Sequence, residues 1–343
     1  MGFKTRTIAN NLTTGMGGAS GINFRNMVIN GDMSVDQRNS GSSSTNTGGT
    51  LFYLDRFNVL GTASAGEFGI QQVSDGPAGF TKSLKWTVST ADASLAATDR
   101  YVLMHRVEGE NMASVNMGTS DAHTTTLSFS VKCSTTGTFG GALLNGDGNR
   151  CNVFEYTISS ADTWERKDIT FVGDTSGTWP TNNTRAAQIV WSLGAGSDYH
   201  GTKDTWAGSG HFTTSASTNL MATNGATWQI TGVQWEIGSH DSSFEHLPID
   251  VNLQRCQRYY EEYTGANTHG GLYGSTAGGS NGYIGHLFYK VRKRTRPTFS
   301  NQTGNGINTL NNSSGSDKGG TDSMYYNCNA NSYIINMSIS AEL

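Results

Sequence analysis

Apolar and polar residues alternate over long stretches of this chain. Leu127, Phe129, Val131 and Cys133 alternate with polar residues, which is the pattern of an antiparallel strand that buries one face. Similar signals, separated by stretches rich in Gly, Ser, Thr and Asn, predict strands at 51–60, 101–107, 139–144, 152–158, 166–172 and 186–193. The pattern therefore predicts an all-β fold.

One further predicted strand, 228–237, changes parity in its middle. The apolar residues on the two sides of the change fall on opposite faces of a regular strand: Trp228 and Ile230, then Val233, Trp235 and Ile237. The change occurs at Gly232, where a β-bulge would return all five side chains to one face.

The patterning divides the chain into three segments. Residues 1–21 cannot bury a core, so they are either a flexible tail or an arm that orders against a partner, and we expect an extended N-terminal attachment arm. Residues 22–250 contain the strands above and, at 194–226, a weakly patterned stretch that predicts a large surface loop of the kind that is often functional. Residues 251–343 form a smaller unit.

The smaller unit is also predicted to be mainly β. A short helical turn is expected at 250–257, before strands at 258–263, 283–291, 297–299 and 333–339. Its apolar content is modest, which favours stabilisation by packing against copies of itself.

Composition narrows the classes of partner. Charged residues make up 15% of the chain, against about 25% in ordinary domains, and the net charge is −4. We therefore expect no nucleic-acid partner. No apolar stretch reaches the roughly 18 residues needed to cross a bilayer, so no membrane insertion is expected. The first residues lack the apolar run of a secretory signal, which leads us to expect synthesis in a host cytoplasm.

The four cysteines do not form a Cys-x-x-Cys pair, so the sequence gives no support for a zinc ribbon. Cys133 and Cys151 could form a disulfide between neighbouring strands. We favour the alternative, in which all four are reduced and buried as small apolar residues.

Three short motifs resemble those of bacteriophage tail-fibre and other virion-surface proteins. The first is NMVINGDMSV at 26–35, followed by YLDRF at 53–57. The second is GVQWEIG at 232–238, with Phe244-Glu245 and CQRYYE at 256–261. The third is RTRPT at 294–298. The resemblance therefore covers residues 22–343.

The resemblance implies a carbohydrate-binding-module-like jelly-roll β-sandwich at 22–250, followed by a smaller β-sandwich-like domain at 251–343. It also implies a virion location and, often, trimeric assembly, although the position along the virion varies among such proteins. We expect a structural homotrimer on the particle surface, a tail fibre or tail-tip appendage rather than a head protein. Residues 1–21 would dock to another virion protein, and the distal surfaces would adsorb host-surface glycan without catalysis. Two alternatives stay open: a head fibre or capsid decoration protein with a purely structural role, and a glycan-cleaving tailspike.

Aromatic residues in polar loops are the candidate glycan contacts, because the apolar face of a sugar ring stacks on an indole or phenol. The candidates are Trp179, Tyr199, Trp206, Tyr273 and Tyr283. For any one of them, the favoured alternative is a structural role, pinning a loop or packing between subunits. The strand tryptophans are assigned to the core: Trp86, Trp191, Trp228 and Trp235.

Metal sites are weakly indicated. Jelly-roll modules of the resembled kind often hold a structural calcium, and the matching positions are Asn30, Asp32 and Glu236. An Asn-Gly-Asp turn without metal is the simpler account, so no cofactor is expected. A zinc site is not expected at His240, Glu245 and His246, because a loop is not a rigid frame for ligands. Glu245 is instead expected to accept hydrogen bonds that fix the returning chain.

Basic residues occupy every second position of one short segment: Lys290, Arg292, Arg294 and Arg296. On a strand they would form one basic face, with Lys293 opposite. That face could contact acidic glycans or phosphate, but a charged edge that prevents aggregation is favoured. The sequence has no nucleophile elbow, phosphate-binding loop or metalloprotease motif, and enzymatic activity is not expected.

Overall fold

Two antiparallel sheets pack face to face in the larger part of the protein. The computed structural model describes residues 24–46, 49–61, 65–264, 275–276, 283–305, 320–328 and 333–343. The first thirteen strands are β1 Ser44–Asn46, β2 Gly49–Leu54, β3 Phe57–Gly61, β4 Glu67–Val73, β5 Ser83–Thr90, β6 Arg100–Glu108, β7 Thr125–Cys133, β8 Gly137–Asn145, β9 Cys151–Ile158, β10 Glu165–Phe171, β11 Arg185–Ala195, β12 Trp206–Ala207 and β13 Thr227–Ile237. Short 3-10 helices lie at Gly109–Asn111, Ala113–Val115, Ser197–Tyr199 and Leu220–Ala222.

The strands divide into a six-stranded and a seven-stranded sheet. The order is β1-β4-β5-β13-β7-β10 in the first sheet and β12-β9-β8-β11-β6-β3-β2 in the second. Every strand pairing in both sheets is antiparallel. This architecture confirms the predicted jelly-roll β-sandwich.

Aromatic side chains fill the space between the two sheets. Trp86, Trp191, Trp228 and Trp235 are all fully buried, as predicted. The Trp86 ring stacks on Phe68 with centroids 3.6 Å apart. Trp228 Nε1 donates to the hydroxyl of Tyr156 at 3.1 Å, which satisfies a polar group that burial would otherwise leave unpaired.

The bulge predicted at Gly232 is confirmed. The register of β13 against β7 shifts between Thr231 and Gln234, and Gly232 takes a φ of +61°. The apolar side chains on both sides of the shift are buried: Trp228, Ile230, Val233 and Trp235. Glycine is the residue that adopts this backbone conformation without steric cost.

The NMVINGDM motif lies along this bulge. The Asn26 side chain donates to the Val233 carbonyl at 3.0 Å and accepts from the Trp235 amide at 3.1 Å. Val233 N donates to the Gly31 carbonyl at 2.9 Å. A Cβ at Gly31 would lie only 2.0 Å from the Val233 oxygen, so the motif needs glycine here. Asn26 therefore satisfies backbone groups of the bulge.

One predicted strand is in fact a hairpin. The segment 51–60 was predicted as a single strand, but β2 and β3 pair with each other across a turn at Asp55 and Arg56. Arg56 takes a φ of +69° and is buried, donating to the Arg106 carbonyl at 2.6 Å. A buried charged turn breaks the usual association of turns with exposed polar residues, which explains the error.

The remaining elements form the smaller unit. They are the helix α1 Ile249–Gln257 and the strands β14 Tyr260–Thr264, β15 Ser275–Thr276, β16 Tyr283–Phe288, β17 Thr298–Asn305, β18 Ser323–Cys328 and β19 Tyr333–Ser340. The strands form two three-stranded sheets, β14-β19-β17 and β15-β16-β18. The predicted helical turn and the second β-unit are thus present.

Buried ionic contacts join this unit to the sandwich. Arg258 makes a bidentate contact with Glu108, at 2.9 and 2.6 Å. The hydroxyl of Tyr259 donates to the same carboxylate. Because Glu108 is fully buried, loss of Arg258 would leave an uncompensated charge. The CQRYYE motif therefore fastens the junction. The boundary at residue 250 stays a prediction.

The prediction that residues 290–296 form a basic face on a strand is wrong. Residues 289–297 are irregular, and Arg294 donates to the carbonyls of Asn183 and Ala341. Lys293 is buried and pairs with buried Glu261 at 2.6 Å. Arg294 thus contacts the sandwich and Lys293 contacts its own unit, and sequence alternation alone does not distinguish such contacts from a strand face.

The structure also bears on the cysteines and on the prediction that no segment enters a membrane. Cys133, Cys151 and Cys256 are buried and free, so the Cys133–Cys151 disulfide is wrong. The side chain of Cys328 and the arm at 1–21 lie outside the described residues. In the described ranges, no helix has the length and apolar character needed to cross a membrane.

Candidate functional site

Two of the predicted glycan contacts close an edge of the sandwich. Trp206 is half-buried, and its Nε1 donates to the Val172 carbonyl at 2.8 Å, just after β10. Trp179 is buried, donates to Asp174 Oδ2 at 3.2 Å and packs edge-on against Trp206. Trp206 thus ties the edge of one sheet to the other, and both indole N–H groups are already used.

A third predicted contact anchors the long loop after β11. The ring of Tyr199 stacks on Phe212 with centroids 4.9 Å apart and an interplanar angle of 4°. The Arg100 guanidinium lies 4.9 Å from the Tyr199 centroid. Phe212 and Ala207 pack on an apolar layer of the seven-stranded sheet, formed by Val102, Met104, Ala142, Leu144, Cys151, Val153 and Val190. The loop therefore covers the outer face of this sheet.

The other two predicted contacts are not placed. Tyr273 lies outside the described residues, and Tyr283 begins β16 without a described side chain.

The three calcium candidates are each engaged within the protein. Asn30 is buried, and its amide donates to the carbonyls of Val35 and Asp55. Asp32 accepts from Asn252 at 3.1 Å. Glu236 has a different set of partners, described below, and shares none of the described hydrogen bonds of the other two. Among the described residues, no group of three or more His, Cys, Asp or Glu is arranged to hold a metal.

Glu245 has the role predicted for it. Its carboxylate accepts from the backbone amides of Phe24, at 2.7 Å, and Asn26, at 3.0 Å. The neighbouring His246 is exposed and packs against Phe80 and Phe244. Glu245 therefore fixes the entering chain to the returning one.

A groove on the outer face of the six-stranded sheet brings together residues that sequence analysis did not single out. Its volume is about 490 Å³, within the range typical of small-molecule sites. It is lined by Pro77, Ala78, Phe80, Ser130, Arg166, Asp241, Ser242, Ser243 and Phe244. We call these residues the groove.

Two half-buried phenyl rings form the apolar part of the groove. Phe80 follows β4 in a tight turn, in which its amide donates to the Pro77 carbonyl at 3.0 Å and Gly79 takes a φ of +91°. Phe244 lies in the loop after β13. The two rings meet edge-to-face with centroids 5.0 Å apart. Such a pair is a stable apolar platform that still leaves ring surface accessible.

The loop that carries Phe244 is held rigidly. The Glu236 carboxylate accepts from the backbone amide of Ser242 at 2.9 Å and also from its hydroxyl. The amide of Glu245 donates to Gln234 Oε1 at 2.8 Å. Phe244 therefore lies between two residues that are anchored to the outward-facing side chains of β13, so little entropy is lost when a ligand binds.

Arg166 provides the main polar group of the groove. Its guanidinium donates to the Gly232 carbonyl at 2.9 Å and to Ser128 Oγ at 2.6 Å. Its Nε lies 3.7 Å from Asp241 Oδ2. Partial burial lowers the pKa of Arg166 from its ordinary value, and the Asp241 charge acts in the opposite direction.

Charges around the groove are balanced. Lys132 lies two positions after Ser130 on β7 and pairs with Asp75. The Asp75 carboxylate also accepts a hydrogen bond from Trp164 Nε1 at 3.3 Å. Arg25 lies 3.4 Å from Glu236. The described lining thus combines aromatic surface, hydroxyls, one cation and one anion, which is suited to a polar, uncharged ligand with an apolar face.

Comparisons with known proteins give only distant likenesses. No protein-family model matches the chain, and no curated protein matches it in sequence. Solved structures that resemble it include the enzymatically active domain of tailspike protein 4 from bacteriophage CBA120, with a TM-score of 0.33 and 12% identity over 62% of this chain. The chain spans only 22% of that tailspike structure.

Carbohydrate-binding modules also resemble the chain. A CBM4 structure has a TM-score of 0.31 and 13% identity, covering 62% of this chain and 99% of its own. The family 11 module from Clostridium thermocellum, in complex with a β-1,3-1,4-mixed-linked tetrasaccharide, has a TM-score of 0.29 and 11% identity, covering 57% and 96%. Likenesses at this level assign no function to the chain.

Proposed function

We propose that this protein binds a glycan in the groove and does not cleave it. The observation that supports the proposal best is the convergence of Phe80 and Phe244 with Arg166 and Asp241 on a rigid sheet. The apolar face of a pyranose stacks on an aromatic ring, and its hydroxyls suit a charged donor and acceptor placed side by side.

The polar lining favours binding over catalysis. Glycoside hydrolysis ordinarily uses two carboxylic acids that flank the bond, about 5–10 Å apart. Among the described lining residues, only Asp241 is a carboxylic acid, and it faces Arg166. Glu236 is close in sequence, but its carboxylate accepts hydrogen bonds from Ser242 and so acts on the loop.

The biological setting belongs to the same proposal and is supported by the sequence motifs at 22–343. We place the protein on the surface of a bacteriophage virion, on the tail rather than the head, as a homotrimer. Residues 1–21 attach it to another virion protein, and the groove adsorbs host-surface glycan. Three weak sites on one particle gain avidity without any new type of contact.

The binding proposal is tested with the purified chain on an array of host polysaccharides and oligosaccharides. We expect binding that is weakened about tenfold in Phe80→Ala and Phe244→Ala variants. Failure of the wild-type chain to bind any glycan would favour a purely structural fibre or decoration protein. Release of reducing ends from capsule or lipopolysaccharide would contradict the non-catalytic part and favour a tailspike.

The setting has its own tests. Sedimentation of the full chain gives the oligomeric state, and a mass near that of one 36.7 kDa chain would contradict the trimer. Imaging particles labelled with an antibody against the chain separates tail from head. Deletion of residues 1–21 should prevent incorporation into particles.

A further inference from the structure

The bulge at Gly232 lies directly beneath the groove and contacts both of its recognition elements. A Cβ built at Gly232 would lie 2.7 Å from Cζ of Phe80 and 3.1 Å from its Cε1. Real Cβ atoms do not approach other atoms so closely, so the Phe80 ring rests on the bare backbone of this residue. Any side chain here would push the ring away.

The same residue also holds the arginine. In a regular ladder the carbonyl of a strand residue bonds to a neighbouring strand, but the register shift between Thr231 and Gln234 interrupts that pairing. The Gly232 carbonyl accepts from Arg166 Nη1 at 2.9 Å. With Ser128 Oγ as a second acceptor at 2.6 Å, the guanidinium is oriented with its Nε side toward Asp241.

The charge balance indicates the class of ligand. The groove itself contains one cation and one anion, Arg166 and Asp241. Two further carboxylates, Glu236 and Asp168, also act on the Arg166 charge, and Glu236 pairs with Arg25. Lys132 and Asp75 pair with each other. A sugar carboxylate or sulfate would face Asp241 beside the arginine, whereas neighbouring hydroxyls can donate to Asp241 and accept from Arg166 together.

We infer that Gly232 is the positioning residue of the groove, setting the Phe80 ring and the Arg166 guanidinium at a fixed separation, and that the groove selects an uncharged saccharide. This inference rests on the proposed glycan binding. It assigns to the bulge a function in recognition in addition to its function in the sandwich, where it returns Val233 and Trp235 to the core.

The test compares Gly232→Ala with Gly225→Ala. Gly225 has a φ of +77° and no atom within 4 Å of a built Cβ, so its alanine variant carries the same backbone strain without the contact to Phe80. Both variants should lose stability, measured by denaturant unfolding. Affinity for an uncharged oligosaccharide bound by the wild type should fall about tenfold in Gly232→Ala, as expected for loss of roughly 1.4 kcal/mol, and stay unchanged in Gly225→Ala.

A double variant separates positioning from general destabilisation. Phe80→Leu removes the ring edge that a Cβ at 232 would contact, so Gly232→Ala should cost less stability in that background than in the wild type. Affinity should stay low in the double variant. Equal costs in both backgrounds, or wild-type affinity in folded Gly232→Ala, would overturn the positioning role.

The ligand class is tested separately on an array that carries neutral gluco-, galacto- and manno-oligosaccharides beside sialylated, uronic-acid and sulfated ones. We expect binding to neutral glycans whose affinity changes less than about twofold with added salt, since no net charge is screened. Preference for the anionic glycans would contradict the inference that the groove selects an uncharged saccharide, while the proposed glycan binding would still hold. No binding to either set would instead contradict the proposed function itself.

Discussion

The two outer faces of the sandwich carry aromatic residues that serve different ends. On the seven-stranded sheet, Trp206 and Tyr199 secure an edge and a covering loop, and their polar or ring partners lie within the chain. On the six-stranded sheet, Phe80 and Phe244 pair with each other and still line an open groove. An aromatic residue in a polar loop therefore indicates recognition only when its surroundings leave ring surface and polar groups for a ligand.

The largest expected effect is on stability and concerns Trp206, at the edge of the seven-stranded sheet. Trp206→Ala removes the indole that bridges the sandwich edge to Val172 and packs on Trp179, so we expect the free energy of unfolding to fall by about 3 kcal/mol. Glycan affinity of the folded variant should be unchanged, because the groove lies on the other sheet. Denaturant unfolding and array binding measure the two quantities. A loss of affinity with little change in stability would place the ligand at Trp206 instead.

The stability of the fold should also depend on pH, through buried groups that are not part of the groove. Burial raises the pKa of Asp55 to about 6, while Arg38 and hydrogen bonds from Gln37 oppose the rise. Between the ordinary pKa of 3.8 and about 6, the folded chain holds a proton that the unfolded chain has released. Asp55 therefore makes stability decrease as pH rises through this window, by about 3 kcal/mol.

His105 acts in the opposite direction. Burial lowers the pKa of its imidazole well below 6.5, so below pH 6.5 the unfolded chain binds a proton that the folded chain does not, and stability falls as pH falls. Asp55→Asn removes the effect that opposes His105, so unfolding measured from pH 4 to 7 should show a steeper loss of stability toward low pH than in the wild type. A curve of unchanged slope would contradict the assignment to Asp55.

The variant Phe244→Ala tests whether the groove on the six-stranded sheet binds glycan. Removing one ring of the edge-to-face pair should weaken glycan binding about tenfold, while a half-buried position on an anchored loop should cost stability modestly. Phe212→Ala is a matched control, because it removes a half-buried phenyl ring from the opposite outer face. If both variants lost affinity equally, the effect would reflect general loosening of the fold.

Sequence patterning could predict the sandwich but not the groove, for a physical reason. Core-facing residues recur with the two-residue period of a strand, so Leu127 and Phe129 reveal their face, and the parity change around Gly232 reveals the bulge. Phe80 and Phe244 belong to two loops and to no period. They meet because β5 lies beside β13 in the sheet, which is a property of topology.

The same limit explains the errors. Arg294 belongs to an alternating basic series, with Lys293 expected on the opposite face, yet the partners of the two residues, Asn183 and Glu261, come from distant parts of the chain. Glu236 matched a calcium position by sequence, but its oxygens hold Ser242 and thereby the loop of Phe244. In both cases the chemistry of the residue was recognised, and its partner was set by the fold.

The smallest expected effect concerns Tyr199. Its stack on Phe212 and the nearby Arg100 hold the covering loop, and Tyr199→Ala should lower the free energy of unfolding by about 1 kcal/mol, because the ring is only half-buried. Tyr199→Phe keeps the stack and should keep wild-type stability. Neither variant should change glycan affinity. If Tyr199→Ala weakened binding as much as Phe244→Ala does, both outer faces would take part in recognition, and the contrast between a structural and a binding face would fail.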